Sequence, residues 1–421
     1  MTSETPSREP LYYGWIIVAA CFLIVGVSAV VRNSFGLFFK PILAEFGLSR
    51  AALSLPVSFS LLLFGIAQPI GGHLAGRYGA RAVIGLGALL TGAAILGMSR
   101  IESVWGIYLF YGILLAAGGA GTGSAAILSL VASWFRRRSG FAISLAYSGS
   151  SIGQLVGLPL IAFLLGAVAW RRAFLAVGAV YLLITLPICL GMIRNRPGED
   201  GADATGEGRP GTGEKRPYTY GLTWRKAVWT APFLLLLASS ITAGCTVMVM
   251  AVHWVPFATD VGFSATTAAT AFAVGSGSSL FCVLLTGFFS DRIGRKVPLG
   301  AVYFLRGLAF LLFFLVKNDF TLWATPVLVG FTWFTGGALT SALTADFYGT
   351  RSVGVLFGLM TMVYQLGSAV GVWLAGFIHD ATGSYDSAFF VTMLFCFLAG
   401  SLVWLVNEKE VRGGPAGGGS G

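Results

Sequence analysis

The sequence predicts an all-α membrane protein in which twelve transmembrane helices form two pseudo-symmetric six-helix bundles. Three observations carry this. The composition is 56% hydrophobic residues against 10% charged, with a mean hydropathy of +0.81; soluble domains carry roughly a quarter charged residues, so the solvent of this chain is lipid. Twelve apolar runs reach the length of about 20 residues that a bilayer-spanning helix needs. One short basic loop is written twice, as GHLAGRYGAR from Gly72 to Arg81 and GFFSDRIGRK from Gly287 to Lys296, each after the second long apolar run of its half. Internal doubling of a membrane chain points to a transporter.

The runs fall at 12–40, 51–76, 82–99, 105–132, 140–168 and 173–194, and again at 227–256, 265–289, 298–316, 322–346, 354–380 and 386–407. The first closes at Lys40, the second at the basic loop, and the third between Arg81 and Arg100. The fourth stops before Arg136, and the fifth and sixth are parted by Trp170, Arg171 and Arg172. In the second half the seventh follows Lys226, the eighth meets the second basic loop, and the ninth lies between Lys296 and Lys317. The tenth ends at Asp346, the eleventh runs from Arg351 to Asp380, and the twelfth opens at Asp386. Each boundary is a charge that hydrocarbon would exclude. An even count puts both termini on one side. Of 27 Lys and Arg, 19 lie in the tails and even-numbered loops, 6 in the opposite loops and 2 within spans, so the termini are expected in the cytoplasm and the chain in the inner membrane.

Residues 1–194 then form an N-terminal bundle and 227–407 a C-terminal one. The stretch 195–226, rich in Gly, Pro and charge, is too polar to bury and reads as a flexible cytoplasmic linker; 408–421 reads as a low-complexity tail or added scar outside the fold. No cleavable signal peptide is expected. The cations sit in loops rather than along one amphipathic surface, which argues against nucleic acid despite the net charge of +10. The five cysteines lie in apolar runs without metal-ligand spacing, so no metal or cofactor is expected. Nothing resembles a phosphate-cradling loop or a catalytic constellation, so transport must be driven by a gradient and an enzyme is not expected.

Twelve spans, a central linker and the doubled G-x-x-x-D-R-x-G-R-K loop resemble the major facilitator superfamily, and within it the monocarboxylate transporters. The first span opens with Tyr13-Gly14-Trp15 and runs on to Ser34 and Phe38-Phe39-Lys40. The fifth carries Trp134-Phe135-Arg136-Arg137-Arg138 followed by Ala142, Ala146, Ser148-Gly149-Ser150 and Gly153. Trp170-Arg171, Gly358-Leu359 and Asp380 with Gly383 are similar as well. The resemblance implies proton-coupled alternating-access transport of lactate or pyruvate. Physics gives several of these residues a structural task first: Gly149 and Gly153 make a G-x-x-x-G face for close helix approach. Asp291, Arg292 and Arg295 of the second basic loop, and Arg77 and Arg81 of the first, are expected to gate the cytoplasmic side. Gly76 stands where the first loop would carry its aspartate.

Substrate contacts must come from polar groups on cavity-facing spans. Arg32 and Asn33 sit in the middle of the first span, where an unpaired cation is costly and hence functional, with Ser28 one turn before. All 17 acidic residues lie in tails, loops or near span ends, so an anionic substrate is the natural partner of Arg32. Tyr147 and Ser151 on the fifth span, Ser276 and Ser279 on the eighth, and Tyr364 and Gln365 on the eleventh complete the candidate site. Arg306, in the ninth, reads as a snorkelling or packing residue.

Two departures from the resembled family bear on mechanism. Asn33 occupies the place of a lysine on the first span, and Ser279 and Val283 stand where an aspartate and an arginine are found on the eighth. His253, near the end of the seventh span, and Asp346 are the candidates for carrying the proton; protonation of the substrate itself would need neither. The alternatives are an organic anion exchanger of the oxalate and formate type and a non-transporting carboxylate sensor. The sensor would want a signalling domain that a short Gly-rich linker does not supply. No obligatory protein partner is evident.

Overall fold

A computed structural model describes residues 13–135, 139–195, 224–316, 318–333, 335–348 and 350–406. Residues 196–223 of the expected linker, the expected tail, and Arg136 to Arg138 lie outside these residues. So do the side chains of Asp291 and Arg292, whose gating role the structure therefore does not address. The described residues are helical almost throughout and contain no strand. Eleven helices are both long and apolar enough to cross a bilayer, from Tyr13–Phe46 to Asp386–Leu405. Ala265–Ile293, 29 residues long, supplies the eighth span. Phe163, Leu183 and Leu405 are exposed on the outer surface, and Trp105, Trp229 and Phe320 are exposed at span ends. Lipid-facing residues and an interfacial aromatic belt are arranged in this way.

Local chemistry sets the helix limits. Ser49, Ser264 and Asn318 cap the second, eighth and tenth spans, their side chains accepting from Ala52, Thr267 and Thr321 N–H. Gly79 and Gly294 turn the two copies of the basic loop at φ of +90° and +82°, a region open to glycine without strain. The fourth span is irregular: Tyr108–Leu114 is a π-helical segment, and the chain breaks again at Gly123 before Ser124–Trp134. The tenth is broken between Asp319–Phe331 and Thr335–Tyr348.

Helix pairing repeats when six is added to each ordinal. The first span packs on the fifth, the second on the fourth and the third on the sixth; the seventh packs on the eleventh, the eighth on the tenth and the ninth on the twelfth. Across the halves, the second meets the eleventh and the fifth meets the eighth. The same device makes the tightest pairs in both halves. Gly26 lies against Gly149 and Gly153, and Gly244, Gly367 and Gly371 bring the seventh and eleventh spans together, each with backbone where a Cβ would stand. Without a hydrophobic force between helices in lipid, such close backbone contact supplies the dispersion that joins them. Gly153→Leu, whose Cβ would meet the Gly26 backbone at 2.5 Å, is expected to cost about 1–3 kcal/mol or prevent assembly of the first half. Gly166→Leu, in the same helix but facing open space, should melt with the parent. Thermal unfolding of the two variants in detergent checks the contrast.

The basic loops brace their own halves. At the face that carries both termini, Arg81 donates to the Leu190 carbonyl at the end of the sixth span, and Lys296 donates to the Val406 carbonyl at the end of the twelfth. A cation at a helix C-terminus complements its dipole. Asn195 accepts from the Arg81 N–H at 2.8 Å, and Arg295 pairs with Asp346 at 3.2 Å. Arg77 is exposed and lies over the Tyr78 ring. The bonds that Arg81 and Arg295 make in this conformation stay within one half.

Candidate functional site

Between the halves lies a chamber of about 170 Å³ with Arg32 on its wall. The Arg32 guanidinium stands 4.9 Å from the centre of the Phe64 ring, and the backbone carbonyl of Arg32 accepts from the Tyr111 hydroxyl at 3.2 Å. Tyr111 belongs to the π-helical segment and packs on Phe35 with ring centres 4.3 Å apart. Ser28 lines the same chamber and bonds Tyr181 at 3.2 Å. Tyr147 and Ser150 close it from the fifth span, and Met248, Ala251 and Val252 from the seventh. The remaining walls come from the second, third and fourth spans. Among the described residues, Arg32 is the single cation lining the chamber and no Asp or Glu lines it. Among the described residues none of the ion pairs involves Arg32.

Of the residues expected to touch substrate, Arg32, Ser28 and Tyr147 thus share one cavity. The others do not line it. Asn33 is buried but turned onto its own helix, donating to the Ala29 carbonyl at 3.0 Å, because a short amide one residue past Arg32 points to a different face. Ser151 and Ser279 bond one another at 3.0 Å and Ser276 donates to Gln154 at 3.3 Å. These groups bond one another in the seam between the fifth and eighth spans. Gln365 packs against Gly65 in the seam between the second and eleventh, and half-buried Tyr364 lies outside the lining. Helical spacing alone could not distinguish a seam from a cavity wall, since both are polar stripes away from lipid.

His253 is fully buried, with Nε2 2.9 Å from the Val372 carbonyl and Nδ1 2.9 Å from the Tyr385 hydroxyl. A carbonyl only accepts, so Nε2 carries the hydrogen and Nδ1 accepts from Tyr385. The neutral ring is saturated, and it ties the seventh span to the eleventh and twelfth away from the chamber. Asp346 is at the terminal face, engaged with Arg295. Arg306 does not snorkel. It is 2% exposed and donates to Thr332 Oγ1 at 2.9 Å, to Thr246 Oγ1 at 3.3 Å and to the Thr332 carbonyl. It thereby braces the break in the tenth span, where backbone acceptors are freed.

The face opposite the termini is closed by a cluster that composition and spacing did not reveal. Asp260, ending the seventh span, binds Lys40 at 2.6 Å and Arg50 at 2.7 Å, both from the first half. Asp380, ending the eleventh, accepts the Arg50 and Ala51 N–H at 3.0 and 2.7 Å and so caps the second span from the other half. Gly36 admits the carbonyls of Ala251 and Val252 just inside this cluster. Trp170 and Arg171, singled out by the resemblance, both hold Glu45 at 2.6 Å and fasten the sixth span to the first. The only sequence signal for the cluster was a charge at each of these helix ends.

Known proteins agree with this architecture. The chain is 29% identical to mouse (Mus musculus) monocarboxylate transporter 11 over 412 residues, covering 93% of the chain and 87% of the relative. It is 28% identical to Bos taurus monocarboxylate transporter 13, over 92% and 88%. To the uncharacterized MFS-type transporter YcxA of Bacillus subtilis (strain 168) it is 24% identical, over 94% and 97%. The fold superposes on an inward-facing, unoccupied bacterial homologue of the human lysosomal transporter Spinster with a TM-score of 0.73 at 18% identity, covering 95% of this chain and 98% of that one. The model of the Major Facilitator Superfamily matches residues 21–371 and 258–420. The chain belongs to the major facilitator superfamily.

Proposed function

We propose that the protein carries monocarboxylate anions across the bacterial inner membrane by alternating access, together with a proton, with lactate and pyruvate the smallest candidates. The observation that carries this is Arg32, a guanidinium on the wall of a chamber with no carboxylate. A buried charge is tolerated only when paired or functional, and a guanidinium matches a carboxylate in two-point geometry. The similarity to monocarboxylate transporters supports the same substrate class. With the termini in the cytoplasm, as the distribution of cations indicates, the closed far face is periplasmic and the present conformation is closed to the outside.

The chamber offers no carboxylate to carry a proton, and His253 is saturated outside it, so the reading that fits is a proton moving with the acid. Counterflow of labelled lactate in proteoliposomes, competed by a panel of acids, tests the class. Accumulation driven by an inward proton gradient is the expected result. Rapid exchange that ignores the gradient would replace symport with the anion-exchange alternative.

A further inference from the structure

We infer that the chamber is shaped for a monocarboxylate with a bulky apolar or aromatic tail rather than for a three-carbon acid. The inference rests on Arg32 binding a carboxylate, as proposed above, and adds what lies beyond it. An apolar cavity of about 150 Å³ holds a benzene ring, so a chamber of about 170 Å³ has room for a ring-sized group. The lining chemistry is divided along the chamber. Towards the terminal face it carries hydroxyls: Ser28, Thr91, Thr122 and Ser150. Towards the far face, one turn beyond Arg32, the walls are mostly apolar, with Phe35, Val57, Leu61, Leu115, Met248 and Val252 and the hydroxyl of Ser60 among them. That end is blind, because the Lys40, Arg50 and Asp260 cluster and the Gly36 contact with the seventh span close the far face above it.

A carboxylate on Arg32 therefore has a mostly apolar wall on one side and a hydroxyl-rich wall on the other. An apolar tail gains by entering the pocket; a methyl group leaves it empty. Each buried methylene strengthens binding about fourfold, and the Phe35 and Tyr111 rings, 4.3 Å apart, offer edges and faces to an aromatic tail.

The test is binding of a graded series of 2-oxo acids to the full chain in detergent, by calorimetry: pyruvate, 2-oxobutyrate, 2-oxovalerate, 4-methyl-2-oxovalerate and phenylpyruvate. Affinity should rise about fourfold per carbon along the aliphatic members, and phenylpyruvate should exceed pyruvate by roughly 100-fold, the value of fully burying a Phe-sized side chain. Met248→Trp should lower the ratio of phenylpyruvate to pyruvate affinity at least tenfold, a ratio that a folding defect lowering both alike does not move. Pyruvate binding as tightly as phenylpyruvate overturns the tail pocket while leaving the carboxylate site standing. An unchanged ratio in Met248→Trp also overturns it. Absence of binding across the whole series overturns the carboxylate reading itself and the inference with it.

Discussion

Arg32→Gln is expected to abolish measurable binding of the carried acid, and Arg32→Lys to weaken it by about one to two decades. An ionic hydrogen bond is worth roughly 1.5–3 kcal/mol, and an ammonium cannot reproduce the planar two-point fit of guanidinium on carboxylate. No second cation lines the chamber to compensate. Uncharged amide analogues of the acid should bind poorly to the parent and lose little further in Arg32→Gln, because the missing partner is the same charge. Calorimetry or thermal shift on detergent-purified protein separates this from a transport defect. Near-parental affinity in a folded Arg32→Gln protein would leave the anion site without a residue.

Asp260→Asn should release the far face. The substitution removes the one carboxylate shared by Lys40 and Arg50 and leaves two cations of the first half facing a neutral amide. Asp380 is held at the start of the second span, where its oxygens accept the N–H groups of Arg50 and Ala51. Lys40 is 38% exposed and Asp260 32%, so solvent screens the pair and the loss is about 1–2 kcal/mol. That is roughly a 5- to 30-fold shift of the closed-to-open ratio. The readout is labelling of a cysteine placed at Val252, on the chamber wall, by an impermeant thiol reagent applied to the far face; the five native cysteines are buried. Unaltered labelling would show that apolar contact at Gly36, and not charge, holds this face shut.

The depth at which Arg32 sits could be read from the sequence because hydrocarbon penalises a charge whatever surrounds it. Gly149 and Gly153 were readable for a related reason: a G-x-x-x-G face has one main use in lipid. The serines had no such unambiguous meaning. Ser28 faces a chamber while Ser151 and Ser279 face each other and Ser276 faces Gln154, and the two environments ask for the same residue type at the same spacing. Tyr111 was missed because a π-helical segment leaves no mark in a run of apolar residues, yet it is that segment which places the tyrosine against Arg32. His253 was chosen for its titration range, which says nothing about whether both nitrogens are already occupied.

By itself, then, the sequence determined the number of spans, the doubling of the fold and the placement of two cations, Arg32 and Arg306, within the membrane. Each depends on a local property, the transfer of a residue or a run of residues into lipid. The tertiary structure alone decided which polar stripes become seams, which become the chamber wall, and which end charges meet across the halves at Lys40, Arg50, Asp260 and Asp380. Those pairings join residues more than 200 positions apart in the chain, and only the packing of one six-helix half against the other brings them within hydrogen-bonding reach.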